Sequence, residues 1–229
     1  MIKNQSVLLF TSLLTVAGPL LSAGPPQFAQ SLTVGIVWDT SSSGGQYWPT
    51  YHSIVRQVCS TLASGDRVEI ISAHAGTPKL RVSHCIRTGD SQELAGIYLL
   101  LENITCPLLA DARLEKAVEM ACKRISDPSA AGKDGPAMLI ILTNGNLSSQ
   151  EVKAIRQVAE QFSKPGRRLY VTGTRSTDRD LLISASQNIL EWSLLDQVNA
   201  ANWVRKLREA VAATETKGAS STHVIDASP

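Results

Sequence analysis

Residues 32–43 read Leu-Thr-Val-Gly-Ile-Val-Trp-Asp-Thr-Ser-Ser-Ser. The stretch 32–38 is short, rich in β-branched side chains, and apolar at both odd and even positions. That is the pattern of a strand buried on both faces, which requires helices on both sides of its sheet. The run ends abruptly at Asp39, and a loop of hydroxyl side chains follows. A carboxylate and two hydroxyls, Asp39, Ser41 and Ser43, are thus spaced two residues apart where such a strand would deliver its carboxyl end.

Outward from this point, strand and helix patterns alternate. Tyr51, Val55, Val58 and Leu62 recur at helical spacing, and Arg67 to Ser72 (RVEIIS) reads as the next strand. The turn Ala75-Gly76-Thr77-Pro78 is too short for a crossover, so Leu80 to Cys85 (LRVSHC) is expected as an antiparallel edge strand with one wet face. A short helix is expected near 93–101. Another carries Leu114, Ala117, Val118, Ala121 and Ile125 on one face, with Asp111 as its N-cap. Ala137 to Leu142 (AMLIIL) is the most apolar strand pattern after the N-terminal region and should be central. Ser148 and Glu151 form a capping box for a helix through Phe162. Leu169 to Thr172, then 178–187, 189–192 and 198–211, continue the alternation. The pattern specifies an α/β fold: a doubly wound, mostly parallel sheet with one antiparallel edge strand and helices on both faces. Ligands of such sheets bind beyond the carboxyl ends of the strands, where strand order reverses. The loops after Trp38 and after Leu142 are therefore the ones to inspect.

The ends of the chain read differently. Lys3, the apolar run Val7–Leu21 and the small residues to Ala23 form the three-part pattern of a secretory signal peptide, with cleavage after Ala23 or as late as Ala29. The expectation is a secreted or periplasmic protein with a domain over 32–213 and a flexible tail from 214 to 229. No segment after the signal is apolar enough to cross a bilayer. Cys59, Cys85, Cys106 and Cys122 permit disulfides in that setting. Four cysteines allow three pairings. Cys85–Cys106 is preferred, because Cys85 ends the edge strand and Cys106 lies in a loop returning across the same end of the sheet.

A net charge of +2 and the absence of a basic stripe with interleaved aromatics argue against nucleic acid as partner. The chain has no H-E-x-x-H, G-x-S-x-G, phosphate loop or dinucleotide fingerprint, so it is read as a non-enzyme. Trp48, beside Pro49, is expected to line a binding surface.

The ordered set Asp39-Thr-Ser41-Ser-Ser43, Ser64-Gly-Asp-Arg-Val68, Ile140-Ile-Leu-Thr-Asn-Gly145 and Leu169-Tyr-Val-Thr-Gly173 resembles the von Willebrand factor A domain family over about residues 33–213. The resemblance implies a metal-ion-dependent adhesion site and a protein partner whose acidic group completes the shell of a Mg²⁺ ion. It places Asp39, Ser41, Ser43 and Asn144 as ligands, with Asp111 as a further donor. Two departures stand out: Ala112 falls where the family has Thr, and Asn144 where it usually has Asp. Fewer anionic ligands mean weaker ion binding. The residues alone leave a second account open, in which Asp39, Ser41 and Ser43 only tie down their loop by hydrogen bonds. The matching functional alternative is an envelope structural or assembly factor that has lost the ion.

Overall fold

The computed structural model describes residues 30–74, 77–104, 113–127, 135–162, 164–183 and 190–220. In chain order these form β1 (Thr33–Asp39), a 3₁₀ turn (Ser42–Tyr47), α1 (Trp48–Cys59), β2 (Arg67–Ala73), β3 (Lys79–Cys85) and α2 (Ser91–Glu102). There follow α3 (Leu114–Ile125), β4 (Ala137–Leu142), α4 (Ser149–Gln161), β5 (Arg167–Gly173), α5 (Ser176–Ile183), β6 (Leu190–Leu194) and α6 (Ala200–Ser220).

The six strands lie in the order β3-β2-β1-β4-β5-β6. All pairings are parallel except β2 with β3, so the short link before Lys79 makes the antiparallel edge that its length demanded. β1 and β4 pair in the middle, with Trp38 opposite Leu142. Every residue of both strands is buried, as their non-alternating apolar pattern required. Val34, Ile36 and Trp38 pack with Tyr51, Val55 and Val58 of α1 and with Val204 and Leu207 of α6. Val37, Leu139 and Ile141 point the other way, against Val118 and Ala121 of α3 and Ile155 and Val158 of α4. Burying each such aliphatic side chain contributes about 1.5–3 kcal/mol, and two cores share one sheet.

Some boundaries differ from expectation. α3 takes Arg113 as its N-cap, without a side-chain cap bond. Asp111, expected in that role, lies outside the described residues. α6 continues to Ser220, past Thr214 where apolar periodicity stops and a tail was expected. Cys59, Cys85 and Cys122 are free thiols; Cys106, the expected partner of Cys85, lies outside the described residues. Among the described residues no helix is long and apolar enough to cross a membrane.

Candidate functional site

The chain runs from β1 to β2 on one side of the sheet and from β4 to β5 on the other, so the carboxyl ends of the adjacent strands β1 and β4 form the crevice where strand order reverses. Asp39 closes β1 and Thr143 follows β4. Because Trp38 and Leu142 are in register, the next residue of each strand is brought alongside the other. The Thr143 hydroxyl donates to Asp39 Oδ2 at 3.2 Å. Asp39 Oδ1 accepts the backbone N–H of Ser41 at 2.8 Å. Ser41 Oγ lies 3.2 Å from Ser43 Oγ and accepts the N–H of Gly44, starting the 3₁₀ turn. The Thr40 hydroxyl anchors the loop sideways on the carbonyl of Ala73.

The second loop is as firmly built. The Thr143 hydroxyl also accepts from the N–H of Gly145 at 3.2 Å. Gly145 has φ +86°, a left-handed conformation that a side chain would strain. Thr172 of β5 supports Thr143 from below: its hydroxyl accepts the Thr143 N–H at 3.0 Å and donates to the Thr143 carbonyl at 2.9 Å. Asn144 turns its amide oxygen back to the N–H of Asn146 at 3.0 Å. Its carbonyl accepts from both the N–H and the hydroxyl of Thr174. The structure thus joins Asp39, Ser41 and Ser43, and adds Thr143, which sequence reasoning left out of the ligand set. Asn144 shares a cleft with Ser43, but its amide oxygen is engaged within its own turn.

Asp39 is 5% exposed, and among the described residues no cationic side chain pairs with it. Burial raises its pKa above the ordinary value of 3.8, against the lowering effect of the hydrogen bonds from Ser41 and Thr143. Burial also raises the pKa of Glu151, with the fields of Asp39 and Glu115 adding to it. Glu151 therefore carries the influence of two further carboxylates near the top of the sheet. Beneath them, Trp38 meets Trp48, Tyr51 and His52 edge-on, with ring centroids 5.9, 5.7 and 4.8 Å away. Trp48 belongs to this packed cluster; Tyr47 lines the cleft instead.

The donor set suits a small hard cation. Neighbouring ligands of an octahedral ion held at about 2.1 Å are about 3.0 Å apart. Ser41 Oγ to Ser43 Oγ, and Thr143 Oγ1 to Asp39 Oδ2, are both 3.2 Å. A buried carboxylate without a cationic partner is the group such an ion stabilises most. Asp111 lies outside the described residues.

Beside this cluster opens a polar cleft of about 530 Å³ between the loops that follow β1, β4 and β5. Ser43, Gln46, Tyr47, Asn146 and Arg175 are on its walls.

No protein-family model matches the chain, and no curated protein matches it. Solved structures do. Proximal thread matrix protein 1 of the mussel byssus aligns with a TM-score of 0.54 at 8% identity, over 80% of this chain and 48% of its own. A second structure of that protein carries a zinc-occupied metal-ion-dependent adhesion motif. A von Willebrand factor type A protein from Catenulispora acidiphila aligns at 0.53 and 14% identity, over 79% of this chain and 41% of its own. The manganese-loaded TRAP protein of Plasmodium vivax aligns at 0.53 and 13%, over 78% and 74%. The chain spans less than half the length of the first two proteins. At these identities the likeness is one of fold.

Proposed function

We propose that this chain, whose fold is that of a von Willebrand factor A domain, is a protein-interaction module that holds a divalent cation at Asp39, Ser41, Ser43 and Thr143. Through that cation it would bind an acidic group of a protein partner at the top-face loops. The carrying observation is the buried Asp39 carboxylate, set among hydroxyls and without a cationic side chain among the described residues. The ion would supply a Lewis-acidic position for the partner's carboxylate. The chain's own part is to fix Asp39 in one orientation by two hydrogen bonds and to hold the hydroxyls at ligand spacing. Mg²⁺ fits the oxygen donors, and one carboxylate with neutral hydroxyls implies weak binding until the partner adds its charge. Ion and partner then raise each other's affinity by the same factor.

Calorimetric titration of Mg²⁺ tests this. The wild type should bind weakly, Asp39→Ala should show no heat of binding, and Asn144→Asp should bind about tenfold tighter, because an aspartate can keep one oxygen for the Asn146 N–H and bring a second, charged oxygen to the cleft shared with Ser43. Three flat titrations would instead favour the second reading, a structural or assembly factor without the ion. The observation behind that reading is that Asp39 and Ser41 already tie down the loop after β1, and Asn144 its own turn after β4, by hydrogen bonds to backbone N–H groups.

The proposal includes export to the cell exterior or periplasm, on the signal-like Lys3 and Val7–Leu21 pattern, and, in that oxidising compartment, oxidation of the exposed thiol of Cys85, free in this structure, to a disulfide with Cys106. Intact mass of the recovered protein under non-reducing conditions reads both. Retention of Met1 would rule out cleavage, and four alkylatable thiols would rule out the disulfide.

A further inference from the structure

The 530 Å³ cleft is walled by neutral side chains with hydrogen-bonding capacity to spare. Gln46 stands on the loop after β1 and Asn146 on the loop after β4, both exposed. Among the described residues no hydrogen bond engages either side-chain amide or the Tyr47 hydroxyl. Their backbones, by contrast, are fixed. Gln46 and Tyr47 end a 3₁₀ turn capped by Ser41. The Asn146 N–H donates to Asn144 Oδ1 at 3.0 Å, and the Leu147 N–H to the Gly145 carbonyl at 2.9 Å. Tyr47 and Leu147 are half-buried, Tyr47 packed on the core beside α1 and Leu147 on the core across the sheet. The cleft thus has two rigid apolar flanks. Arg175, the charged residue on its wall, already has an interaction of its own, so charge is not what the cleft offers.

A second cavity, also of about 530 Å³, adjoins the first at Leu147, which lines both. It follows α4, with Val152, Lys153, Gln157 and Glu160 on its walls. Ser149 to Glu160 covers about 18 Å of helix, the length of about five extended residues. Together the two cavities form one trough that starts beside Ser43 and passes Leu147. A compact ligand would fill only one end of it. An extended polypeptide matches its length, and the walls match a main chain. A side-chain amide donates from its nitrogen and accepts at its oxygen, so Gln46 and Asn146 can each pair with both polar groups of a peptide unit.

The geometry points to an extended segment of a protein partner as the occupant of this trough, its main chain held by Gln46 and Asn146 and an apolar side chain set between Tyr47 and Leu147. Main-chain hydrogen bonds give such a segment affinity, and the pocket for a side chain gives selectivity. The inference deepens the reading that a partner's acidic group meets a cation at Asp39, Ser41, Ser43 and Thr143. It rests on that reading only for the position of the acid; the trough is read without the ion.

The test uses the full chain and three probes with blocked termini. The first is a single aspartate. The second is an octapeptide with one central aspartate, flanked on each side by serine and then leucine, with alanine elsewhere. The third is that octapeptide N-methylated at every residue except the aspartate. Affinities are read from backbone amide shifts on titration, with Mg²⁺ or with chelator. With Mg²⁺ the octapeptide should bind the wild type about tenfold tighter than the single aspartate, the scale of two neutral hydrogen bonds. It should also shift the amides of Leu147 and Val152, which the single aspartate leaves in place. N-methylation should remove most of that gain. The double variant Gln46→Ala, Asn146→Ala changes two exposed residues and should leave the fold intact. It should bind the octapeptide no tighter than the single aspartate, with the affinity for the single aspartate unchanged. Asp39→Asn should remove the Mg²⁺ dependence and keep the Leu147 and Val152 shifts. The octapeptide and its N-methylated form binding alike would overturn the inference, as would no shift at Leu147 and Val152 with millimolar octapeptide. If only the Mg²⁺ dependence is missing, the cation reading fails and the trough stands.

Discussion

The Asp39 carboxylate is pulled in two directions: hydrogen bonds from Ser41 and Thr143 favour its ionised form, burial disfavours it, and burial dominates. A carboxyl whose pKa is raised in the fold contributes stability that is complete below its ordinary value of 3.8 and is lost as the pH rises through the elevated value. At pH 7 in the presence of chelator, Asp39 is thus a net burden on the fold. Asp39→Asn keeps an oxygen for the Ser41 N–H and should melt higher than the wild type there, by about 2–4 °C for each kcal/mol regained. Added Mg²⁺ should raise the melting point of the wild type alone. Thermal scans that find Asp39→Asn less stable in chelator would show that the ionised carboxylate supports the fold unaided. Asp39, Ser41 and Ser43 could be read from the sequence because they sit two apart in one loop after a recognisable strand. Thr143 could not. A threonine ending an apolar run looks like part of the strand, and only the pairing of Trp38 with Leu142 sets its hydroxyl beside Asp39.

At the level of elements, the contact between β1 and α3 depends on a missing methyl. A Cβ on Gly35 would lie 2.2 Å from Ile125 Cδ1, closer than packed carbons approach. Gly35→Ala should destabilise by about 1–3 kcal/mol, and Ile125→Val, which removes that Cδ1, should recover a large part of the loss. Denaturant midpoints of the two single variants and the double variant check this; purely additive losses would show that the cost of Gly35→Ala does not come from Ile125. Helix starts were legible where chemistry specified them. At Ser148 and Glu151 both capping-box bonds form, at 3.3 and 2.7 Å. The start of α3 was not, because an acid ahead of a periodic run is equally common in a loop, and Arg113 makes no cap bond to mark the place. The end of α6 escaped for a different reason. Apolar periodicity reports packing against a core, whereas Ala212, Ala213, Glu215 and Lys217 favour helix by propensity alone.

Across the whole molecule, the open edge of the sheet is fastened by a charge. Glu69 of β2 has no exposed surface. It accepts from Arg67 at 2.6 Å, from Ser83 of β3 at 2.9 Å and from Arg124 of α3 at 2.8 Å, so one carboxylate joins strand, edge strand and helix. Burial alone would raise its pKa, but the bonds from Arg124, Ser83 and Arg67 together hold it below the usual 4.5. The sign is opposite to that of Asp39: this stability is present above 4.5 and is lost as the pH falls through the lowered value. Glu69→Ala should cost about 3 kcal/mol at pH 7, the low end for breaking a buried pair, because both guanidinium groups are partly exposed. A loss below about 1 kcal/mol in denaturant unfolding would place the network with ordinary surface pairs. None of this was visible in RVEIIS, where Glu69 reads as an unremarkable polar residue in a strand. The alternation of elements did give the layered α/β class, and the short link before Lys79 gave the antiparallel edge. The order of the parallel strands depends on partners far apart in the chain, which periodicity does not encode.

The pairing of β1 with β4 has a consequence in time. During synthesis β1, β2 and β3 emerge together and can zip locally, but the other side of β1 has no partner until Ala137–Leu142 is made, so a long apolar ladder edge stays open through the intervening residues. Closing so long a loop is slow, and an open edge of this kind invites pairing with other chains. The same delay means that Asp39 and Thr143 meet only when the central ladder closes, so a cation bound between them could not assist the early steps of folding and would act only by slowing its undoing.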